Sequence, residues 1–422
     1  MSEKIWQCQI KALPLQKISD MNTPSLRIRQ MSASPTLAMA ARAAEMKAQG
    51  IDVISLSLGE PDFNTPDHIK EAAKQAIDQN FSKYGPVPGY PSLRKAISEK
   101  LKKENGLDYK PEQIMVSTGG KQALCNAVLA ILNAGDECIL PTPCWVSYGE
   151  MIKLAEATAV MVECGIENDF KLTASQLGAA ITDKTRAIIL CSPSNPTGSV
   201  YTREEMDSLA AVLKNYPNVM IIADEIYEHI NYVGEHVSIA HYPELREQVV
   251  IVNGVSKAYA MTGWRIGWIA AEEWVVKACN KLQGQYTSCT CTIAMKAAEA
   301  AYTGPQQCIE DMRQAFERRR DLVVKMAKEI PGFEITIPQG AFYLFPKISK
   351  LFGKHYTDEN GQEQTISDSN DFAMYLLQEA HVAAVAGSAF FAPDCIRFSY
   401  ASSEETLIEA FNRIRKAVEK LH

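Results

Sequence analysis

The chain lacks the features that would place it in several common protein classes. No uninterrupted apolar run reaches the roughly 18 residues of a membrane-spanning helix. There is no block of basic residues, and the net charge of −7 does not favour a nucleic-acid-binding face. The eleven cysteines are scattered, and the one close pair, Cys289 and Cys291, has no second pair or nearby histidine to complete a metal centre. We therefore predict a cytoplasmic protein with reduced thiols, no metal site, and no membrane or nucleic-acid partner.

The first 20 residues also lack the features of a targeting segment. They contain no apolar core of about 7–15 residues, which a secretory signal requires. The acids Glu3 and Asp20 count against an organellar transit peptide. We predict that Met21 is the natural start and that the preceding leader is poorly ordered.

What the chain does contain is a regular alternation of strand-like and helical segments. Its 422 residues, of which 46% are apolar, are enough for two domains with sizeable cores. Short apolar runs bounded by turn residues predict buried strands at 113–118, 137–140, 158–163, 187–191, 219–223, 249–253 and 265–271. Helical segments lie between most of these runs, which predicts an α/β fold with a mainly parallel sheet covered on both faces.

The two ends of the chain predict a smaller α+β unit. A helix is expected at 305–330, and short strands are expected at 53–58, 333–337, 341–345 and 396–399. The final helix has apolar residues on one face, and the polar segment 350–367 indicates a surface insertion without a catalytic role.

Lys257 is the residue around which the predicted chemistry is organised. It lies between two strand-like runs and is flanked by Val255, Ser256 and Ala258. Partial removal from water lowers the pKa of a lysine, and the neutral amine can attack an aldehyde to form a Schiff base. The alternative is a surface lysine at a strand end, which is the commoner situation for a lysine.

Three other polar positions follow or interrupt predicted strands. Gly119 and Gly120 join a strand to a helix whose N-terminus could receive a phosphate, although glycine is common at such turns. Asp224 ends an apolar strand and needs a partner there, unless it serves as a helix N-cap. Arg397 lies within an apolar strand and requires either a ligand carboxylate or a structural salt bridge. Ligands gather at the carboxyl ends of parallel strands, so a shared site is predicted.

The segment from Ser256 to Gly267, Ser-Lys-Ala-Tyr-Ala-Met-Thr-Gly-Trp-Arg-Ile-Gly, resembles the lysine segment of class I aminotransferases. These are pyridoxal-phosphate (PLP) enzymes of fold type I. The likeness extends from about Ser34 onward and is strongest to the bacterial-type aspartate aminotransferases, a subgroup that includes prephenate aminotransferases. It implies a large domain with a mainly parallel seven-stranded sheet flanked by helices, plus a smaller α+β domain. The implied division is an extension at 1–33, an arm and N-terminal part of the small domain at 34–66, the large domain at 67–304, and the C-terminal small domain with its inter-domain helix at 305–422.

The resemblance also implies how the cofactor is held. Lys257 would form the Schiff base, Asp224 would pair with the pyridine nitrogen, and Asn195 and Tyr227 would contact the ring hydroxyl. Trp145 would stack on the ring, where core packing is the alternative. Asn195 belongs to Ser192-Pro193-Ser194-Asn195-Pro196-Thr197-Gly198, whose two X-Pro bonds predict a fixed backbone with a cis peptide. The implied phosphate ligands are Gly119, Gly120, Lys121, Ser256, Arg265 and, from the partner of a homodimer, Tyr84. A loop-packing aromatic is the alternative for Tyr84.

The implied substrate site comprises Gly59, Lys121, Trp145, Asn195, Arg397, Ser34 and Thr36. Arg397 would bind the α-carboxylate and Lys121 the distal carboxylate, with Ser34 and Thr36 nearby. The expected reaction is ping-pong transfer of the amino group of L-aspartate, or a similar acidic amino acid, to 2-oxoglutarate. The alternatives are prephenate, aromatic or alanine specificity, a β-lyase on the same scaffold, and, more remotely, a PLP-binding regulator, against which the absence of a DNA-binding module counts.

Overall fold

The computed structural model describes residues 23–358 and 360–422. The predictions about the leader therefore lie outside the described residues, apart from the part of the 1–33 extension that follows residue 22. The strands are β1 (Ile54–Ser55), β2 (Ile114–Thr118), β3 (Glu137–Thr142), β4 (Thr158–Glu163), β5 (Thr185–Cys191), β6 (Met220–Asp224), β7 (Val249–Gly254), β8 (Ile266–Ala270), β9 (Tyr343–Leu344), β10 (His355–Thr357), β11 (Glu363–Thr365), β12 (Val382–Ala383), β13 (Val385–Ala386) and β14 (Ile396–Ser399).

The helices occupy the intervals that the sequence left between strands. They are α1 (Leu26–Arg29), α2 (Pro35–Ala48), α3 (Asp67–Asp78), α4 (Pro91–Asn105), α5 (Gly119–Ile131), α6 (Ser147–Leu154), α7 (Ala174–Ala180), α8 (Arg203–Leu213), α9 (Glu273–Tyr286), α10 (Thr292–Thr303), α11 (Gln307–Lys328), α12 (Ser369–Glu379) and α13 (Glu404–Glu419). Within residues 23–358 and 360–422, no helix combines the length and apolar content that a membrane crossing requires.

The predicted seven-stranded sheet is confirmed, with strand order β2-β8-β7-β6-β5-β3-β4. Every neighbouring pair is parallel except the two that include β8, which is antiparallel to both β2 and β7. Successive residues of a strand face opposite sides, so Ile221 and Ile222 of β6 pack in different hydrophobic layers. Helices cover both layers, which leaves the carboxyl ends of the parallel strands as the open edge.

A second hydrophobic core joins both ends of the chain. The antiparallel sheet β13-β14-β9 packs with α11, α12 and α13, and β1 pairs in parallel with β12. This pairing brings the N-terminal segment to the C-terminal part of the chain. The domain limits drawn from the sequence stay a prediction, which the β1–β12 pair supports.

Three sequence-based strands need correction, and one of them is the strand expected at 341–345, of which only β9 (Tyr343–Leu344) forms. Residues 333–337 form no strand: Glu334 makes an isolated bridge with Lys347, and none of the strands from β1 to β14 pairs with this segment. The strand expected at 53–58 is reduced to β1 because its partner β12 contains only two residues. The polar segment 350–367 contains the β10–β11 hairpin.

Candidate active site

One cavity of about 310 Å³ opens between the large sheet and the second core. All but two of the predicted site residues line it: Ser34, Thr36, Gly59, Gly120, Lys121, Trp145, Asn195, Asp224, Tyr227, Ser256, Lys257, Arg265 and Arg397. The exceptions are Gly119, which contacts Arg265, and Tyr84, whose surface is 93% exposed. The topology thus brings strand-end residues that are far apart in sequence to one hollow.

Lys257 lies in the turn between β7 and β8, with its amine at the cavity wall. Its Nζ donates a hydrogen bond to the carbonyl oxygen of Gly59 at 2.5 Å. Burial lowers the pKa of Lys257 to about 8, so a useful fraction of the amine is neutral near physiological pH. This is the environment that a nucleophilic lysine requires.

Asp224 is the last residue of β6 and is 5% exposed. Its Oδ2 accepts a hydrogen bond from the Tyr148 hydroxyl at 2.6 Å, and its Oδ1 accepts one from the Ile226 amide at 3.3 Å. Burial raises the pKa of Asp224 to about 6. A buried carboxylate that lacks a cationic partner is costly, so the site is suited to a ligand with a protonated nitrogen.

Arg397 on β14 is 2% exposed, yet no carboxylate neutralises it among the described residues that it contacts. Its Nη1 donates to Asn195 Oδ1 at 2.9 Å and its Nη2 to the Ser57 carbonyl at 2.7 Å. The guanidinium lies 4.5 Å from the centre of the Tyr343 ring, and its buried Nε has no hydrogen-bond partner among the residues that the structure describes. A guanidinium on the cavity wall that still has unused N–H donors is suited to binding an anionic ligand.

The N-terminus of α5 forms the other end of the cavity. A side chain at Gly119 would place its Cβ 2.3 Å from Arg265 Nη2, and one at Gly267 would meet the Gly120 backbone nitrogen at 2.2 Å. Glycine at these positions therefore lets β8 and the Arg265 guanidinium approach the first turn of the helix. With the buried Ser256 beside them, these groups offer a cation, a hydroxyl and helix N-terminal amides, a combination that is suited to binding a phosphate.

Lys121 and Trp145 form a third part of the wall. The Lys121 ammonium lies 4.8 Å from the centre of the Trp145 ring. Burial, with the nearby Arg265, lowers the pKa of Lys121. Ser34, which caps α2, and Thr36 line the cavity here as well.

The fixed backbone predicted around Asn195 is also present, with cis bonds at Ser192–Pro193 and Asn195–Pro196.

Two tyrosines of the site were missed by the sequence reasoning. Tyr148 binds Asp224, and Tyr343 lines the cavity with its hydroxyl 2.7 Å from that of Tyr227. Tyr148 lies three residues after Trp145 in the same short segment, and a buried tyrosine needs a hydrogen-bond partner for its hydroxyl. The sequence therefore gave a reason to consider Tyr148 as a site residue. Tyr343 lies in an apolar stretch that offered no such signal.

These residues fit PLP. The helix N-terminus with Arg265, the Lys257 amine with its lowered pKa, and the buried Asp224 share one cavity, which suits a molecule with a phosphate, an aldehyde and a basic ring nitrogen. The cavity and the doubly covered, mainly parallel sheet thus define a PLP-dependent transferase of fold type I.

Comparison with known proteins agrees with this class. The family model for aminotransferase class I and II matches residues 51–414, and the chain belongs to this family. It is 47% identical to the aspartate aminotransferase of Bacillus sp. (strain YM-2), over 93% of this chain and 98% of that protein. It is 48% identical to the aspartate/prephenate aminotransferase of Cereibacter sphaeroides, over 92% of this chain and 96% of that protein.

Solved structures show the same relationship. The aspartate aminotransferase from Rhizobium meliloti has a TM-score of 0.90 at 44% identity, covering 95% of this chain and all of that one. The aspartate aminotransferase from Thermus thermophilus, solved with maleate, has a TM-score of 0.87 at 40% identity, covering 94% and 100%. The protein is a PLP-dependent aminotransferase.

Proposed function

We propose that the enzyme transfers the amino group of L-aspartate to 2-oxoglutarate in a ping-pong cycle. The observation that carries this proposal is the pair of cationic side chains, Arg397 and Lys121, on the wall of the cavity that contains Lys257. Two cations match the two carboxylates of a dicarboxylic amino acid. Maleate, present with the Thermus thermophilus relative, is also a dicarboxylate. Prephenate, which carries two carboxylates as well, is the second candidate acceptor, favoured by the name of the Cereibacter sphaeroides relative.

In the proposed reaction, Arg397 binds the α-carboxylate, and Lys121, with Ser34 and Thr36 nearby, binds the distal one. PLP, when bound, accepts the amino group and withdraws electrons from the α-carbon. Lys257 would hold the cofactor through its amine, and, once the amino group of the substrate has displaced it, the free amine would act as the general base that takes the α-proton. Because burial lowers its pKa to about 8, Lys257 can both release and accept a proton near neutrality.

The remaining roles concern binding and orientation of the cofactor. Asp224, held by Tyr148, would keep the ring nitrogen protonated, while Asn195 and Tyr227 would contact the ring hydroxyl and Trp145 its face. Gly119, Gly120, Lys121, Ser256 and Arg265 would hold the phosphate. Gly59, whose carbonyl accepts from Lys257, would border the substrate.

We also propose a cytoplasmic homodimer in which Tyr84 reaches the cofactor phosphate of the partner subunit. Two observations support this role: the Tyr84 side chain projects into solvent, and it lies away from the cavity of its own chain. The ten cysteines within the described ranges carry free thiols, in keeping with the proposed compartment.

Replacing Tyr84 tests the dimer. We expect Tyr84→Phe to remain dimeric and to bind PLP about 3–10-fold more weakly, since one hydrogen bond of roughly 1 kcal/mol is lost. Cofactor titration followed by fluorescence, with sedimentation to give the oligomeric state, measures both. Tyr286→Phe, another exposed tyrosine, is the control. A monomeric wild-type protein, or unchanged PLP affinity, would remove the proposed role of Tyr84.

Replacing Lys121 tests the substrate assignment. We expect Lys121→Ala to lower kcat/KM for L-aspartate by about 10–100-fold more than for L-alanine, because only the dicarboxylate loses a charge-assisted bond of roughly 1.5–3 kcal/mol. Cofactor binding, measured separately, accounts for any contribution of Lys121 to the phosphate site. The exposed Lys277, paired with Glu273, supplies the control variant Lys277→Ala. Equal losses on both substrates would contradict the distal-carboxylate role.

A panel of amino donors decides the specificity. L-Aspartate, L-glutamate, L-alanine and L-phenylalanine are assayed with 2-oxoglutarate and with prephenate, and cystathionine is tested for release of pyruvate and ammonia. We expect aspartate with 2-oxoglutarate to have the highest kcat/KM. Preference for an aromatic donor, or lyase products without amino transfer, would overturn the proposal.

A further inference from the structure

A buried ion pair lies behind the active site and outside the cavity wall. Lys100 on α4 and Glu228, in the turn after β6, are 4% and 7% exposed, and the two charged groups are in direct contact. Asn105 bridges the pair: its Oδ1 accepts from Lys100 Nζ at 2.8 Å, and its Nδ2 donates to Glu228 Oε2 at 2.8 Å. At longer range, Glu104 lies 3.6 Å from Lys100 Nζ and His229 lies 3.7 Å from Glu228 Oε1. None of the three lines the cavity.

A buried pair of this kind is poorly explained by stability alone. Removing both charges from water is expensive, and apolar residues of similar volume often hold a core equally well. Burial opposes the charged form of Glu228, but the adjacent Lys100, together with His229 and His236, overcomes this and lowers the pKa of the carboxyl below its usual range. Glu225, Glu228 and His236 are close enough to one another to bind a metal ion. Glu228 already has a cationic partner in Lys100, so we interpret the cluster as part of the ion pair.

Glu228 also contacts Asn253, and this contact connects two segments that carry site residues. Its Oε1 accepts a hydrogen bond from Asn253 Nδ2 at 2.7 Å, and Asn253 Oδ1 accepts one from the Gly254 amide at 2.7 Å. Along the chain, Glu228 comes shortly after Asp224 and immediately after Tyr227. Asn253, at the end of β7, leads directly into the turn that carries Lys257.

We propose that Glu228 is a positioning residue, which, through Asn253, sets the separation between the Asp224–Tyr227 segment and Lys257. Lys100 and Asn105 hold the Glu228 carboxylate so that it reaches from the turn after β6 to Asn253 on β7. The inference rests on the roles proposed above for Asp224 and Lys257. Displacing a reacting group by about 1 Å can cost on the order of 100-fold in rate, so a rigid connection behind the site has a catalytic consequence.

Two double variants distinguish the positioning role of Glu228 from a role in which Lys100 and Glu228 only fill space in the protein interior. Lys100→Met with Glu228→Leu keeps the volume but removes the hydrogen-bonded bridge. Lys100→Met with Glu228→Gln also removes both charges, but it keeps an amide oxygen that can accept from Asn253. The control is Lys171→Met with Glu205→Gln, which removes another ion pair. Lys171 is 7% exposed and Glu205 lies on α8, and neither segment carries a proposed site residue.

For the Leu variant of the PLP-loaded enzyme we expect kcat to fall about tenfold or more. The KM for the amino donor should change less than about threefold, since Arg397 and Lys121 make no contact with the bridge. The Gln variant should recover most of kcat, and the control should resemble the wild type. The position of the visible absorption band should shift in the Leu variant and return in the Gln variant.

The proposal is overturned if the folded Leu variant keeps the kcat of the wild type, or if the Gln variant loses as much activity as the Leu variant. If the Leu variant does not fold, Asn253→Ala removes the other end of the bridge and leaves the ion pair in place; unchanged kcat there also overturns the proposal. A wild-type enzyme that does not transaminate would instead refute the proposed function, so the two failures are distinguishable.

Discussion

The Lys257→Ala enzyme is expected to lose the visible absorbance of the holoenzyme and nearly all transamination. Removing the lysine takes away both the covalent attachment and the general base. Loss of a general base alone costs on the order of 10²–10⁴-fold in rate. Arg397, Asp224 and the proposed phosphate ligands are untouched, so PLP should still bind, with the spectrum of the free aldehyde. Absorbance spectra and single-turnover assays with L-aspartate measure the two effects.

Lys277→Ala, which removes an exposed lysine of α9, is the control for these measurements. Added methylamine offers a further check, because a small amine can replace the missing base and should partly restore the rate. An unchanged spectrum and rate in Lys257→Ala would show that another residue is the nucleophile.

The Asp224→Asn enzyme is expected to have opposite effects on catalysis and stability. With PLP present, loss of the charge-assisted bond to the ring nitrogen should weaken cofactor binding by roughly 1.5–3 kcal/mol, or about 10–150-fold. Turnover should fall on the order of 10²–10³-fold, because the buried charge no longer stabilises the electron-withdrawing ring. Tyr148 can still donate to the asparagine oxygen, which preserves the local structure.

In the protein freed of cofactor, the same substitution should raise stability. Burial raises the pKa of Asp224 from 3.8 to about 6, so the folded state binds a proton that the unfolded state releases between these values. The free energy of unfolding therefore decreases as the pH rises from about 4 to about 6, and the cost above that window is on the order of 2–3 kcal/mol. Asp224→Asn should recover up to this amount at about pH 7.5 and almost none at about pH 4.

Urea denaturation of both proteins, freed of cofactor, at these two pH values measures the difference. Asp207→Asn, on the exposed face of α8, is the control. Equal stabilisation at both pH values would contradict the raised pKa. Near-normal turnover of the Asp224→Asn holoenzyme would contradict the role at the ring nitrogen.

Most of the large sheet could be predicted because its strands are short apolar runs between turn residues. Val249–Gly254 and Ile266–Ala270 were expected within a residue or two of their ends. The failure at 333–337 has a physical reason: apolar alternation marks a strand only where a neighbouring strand exists, and Ile337 there is 54% exposed. The two-residue β1 was overestimated for the same reason.

The site residues that could be predicted from the sequence are those that follow the parallel strands, because the topology of the sheet places them at one edge. Asp224 and Lys257 follow strands whose carboxyl ends meet at one edge, so pattern reasoning brings them together. The segment that contains Trp145 gave a reason to consider Tyr148 as a site residue, but it did not identify its partner. The hydroxyl partners of Tyr148 and Tyr343 lie 76 and 116 residues away in the chain, and no local pattern identifies such partners. The bridge from Glu228 to Asn253 was invisible for the same reason.

Reduction of the holoenzyme with borohydride, followed by peptide mass spectrometry, tests the central claim most directly. The reagent fixes the cofactor to the amine that holds it. We predict a single pyridoxyl-modified peptide, with the modification on Lys257 and none on Lys121. Modification of a different lysine, or none in an enzyme that still transaminates, would contradict the account.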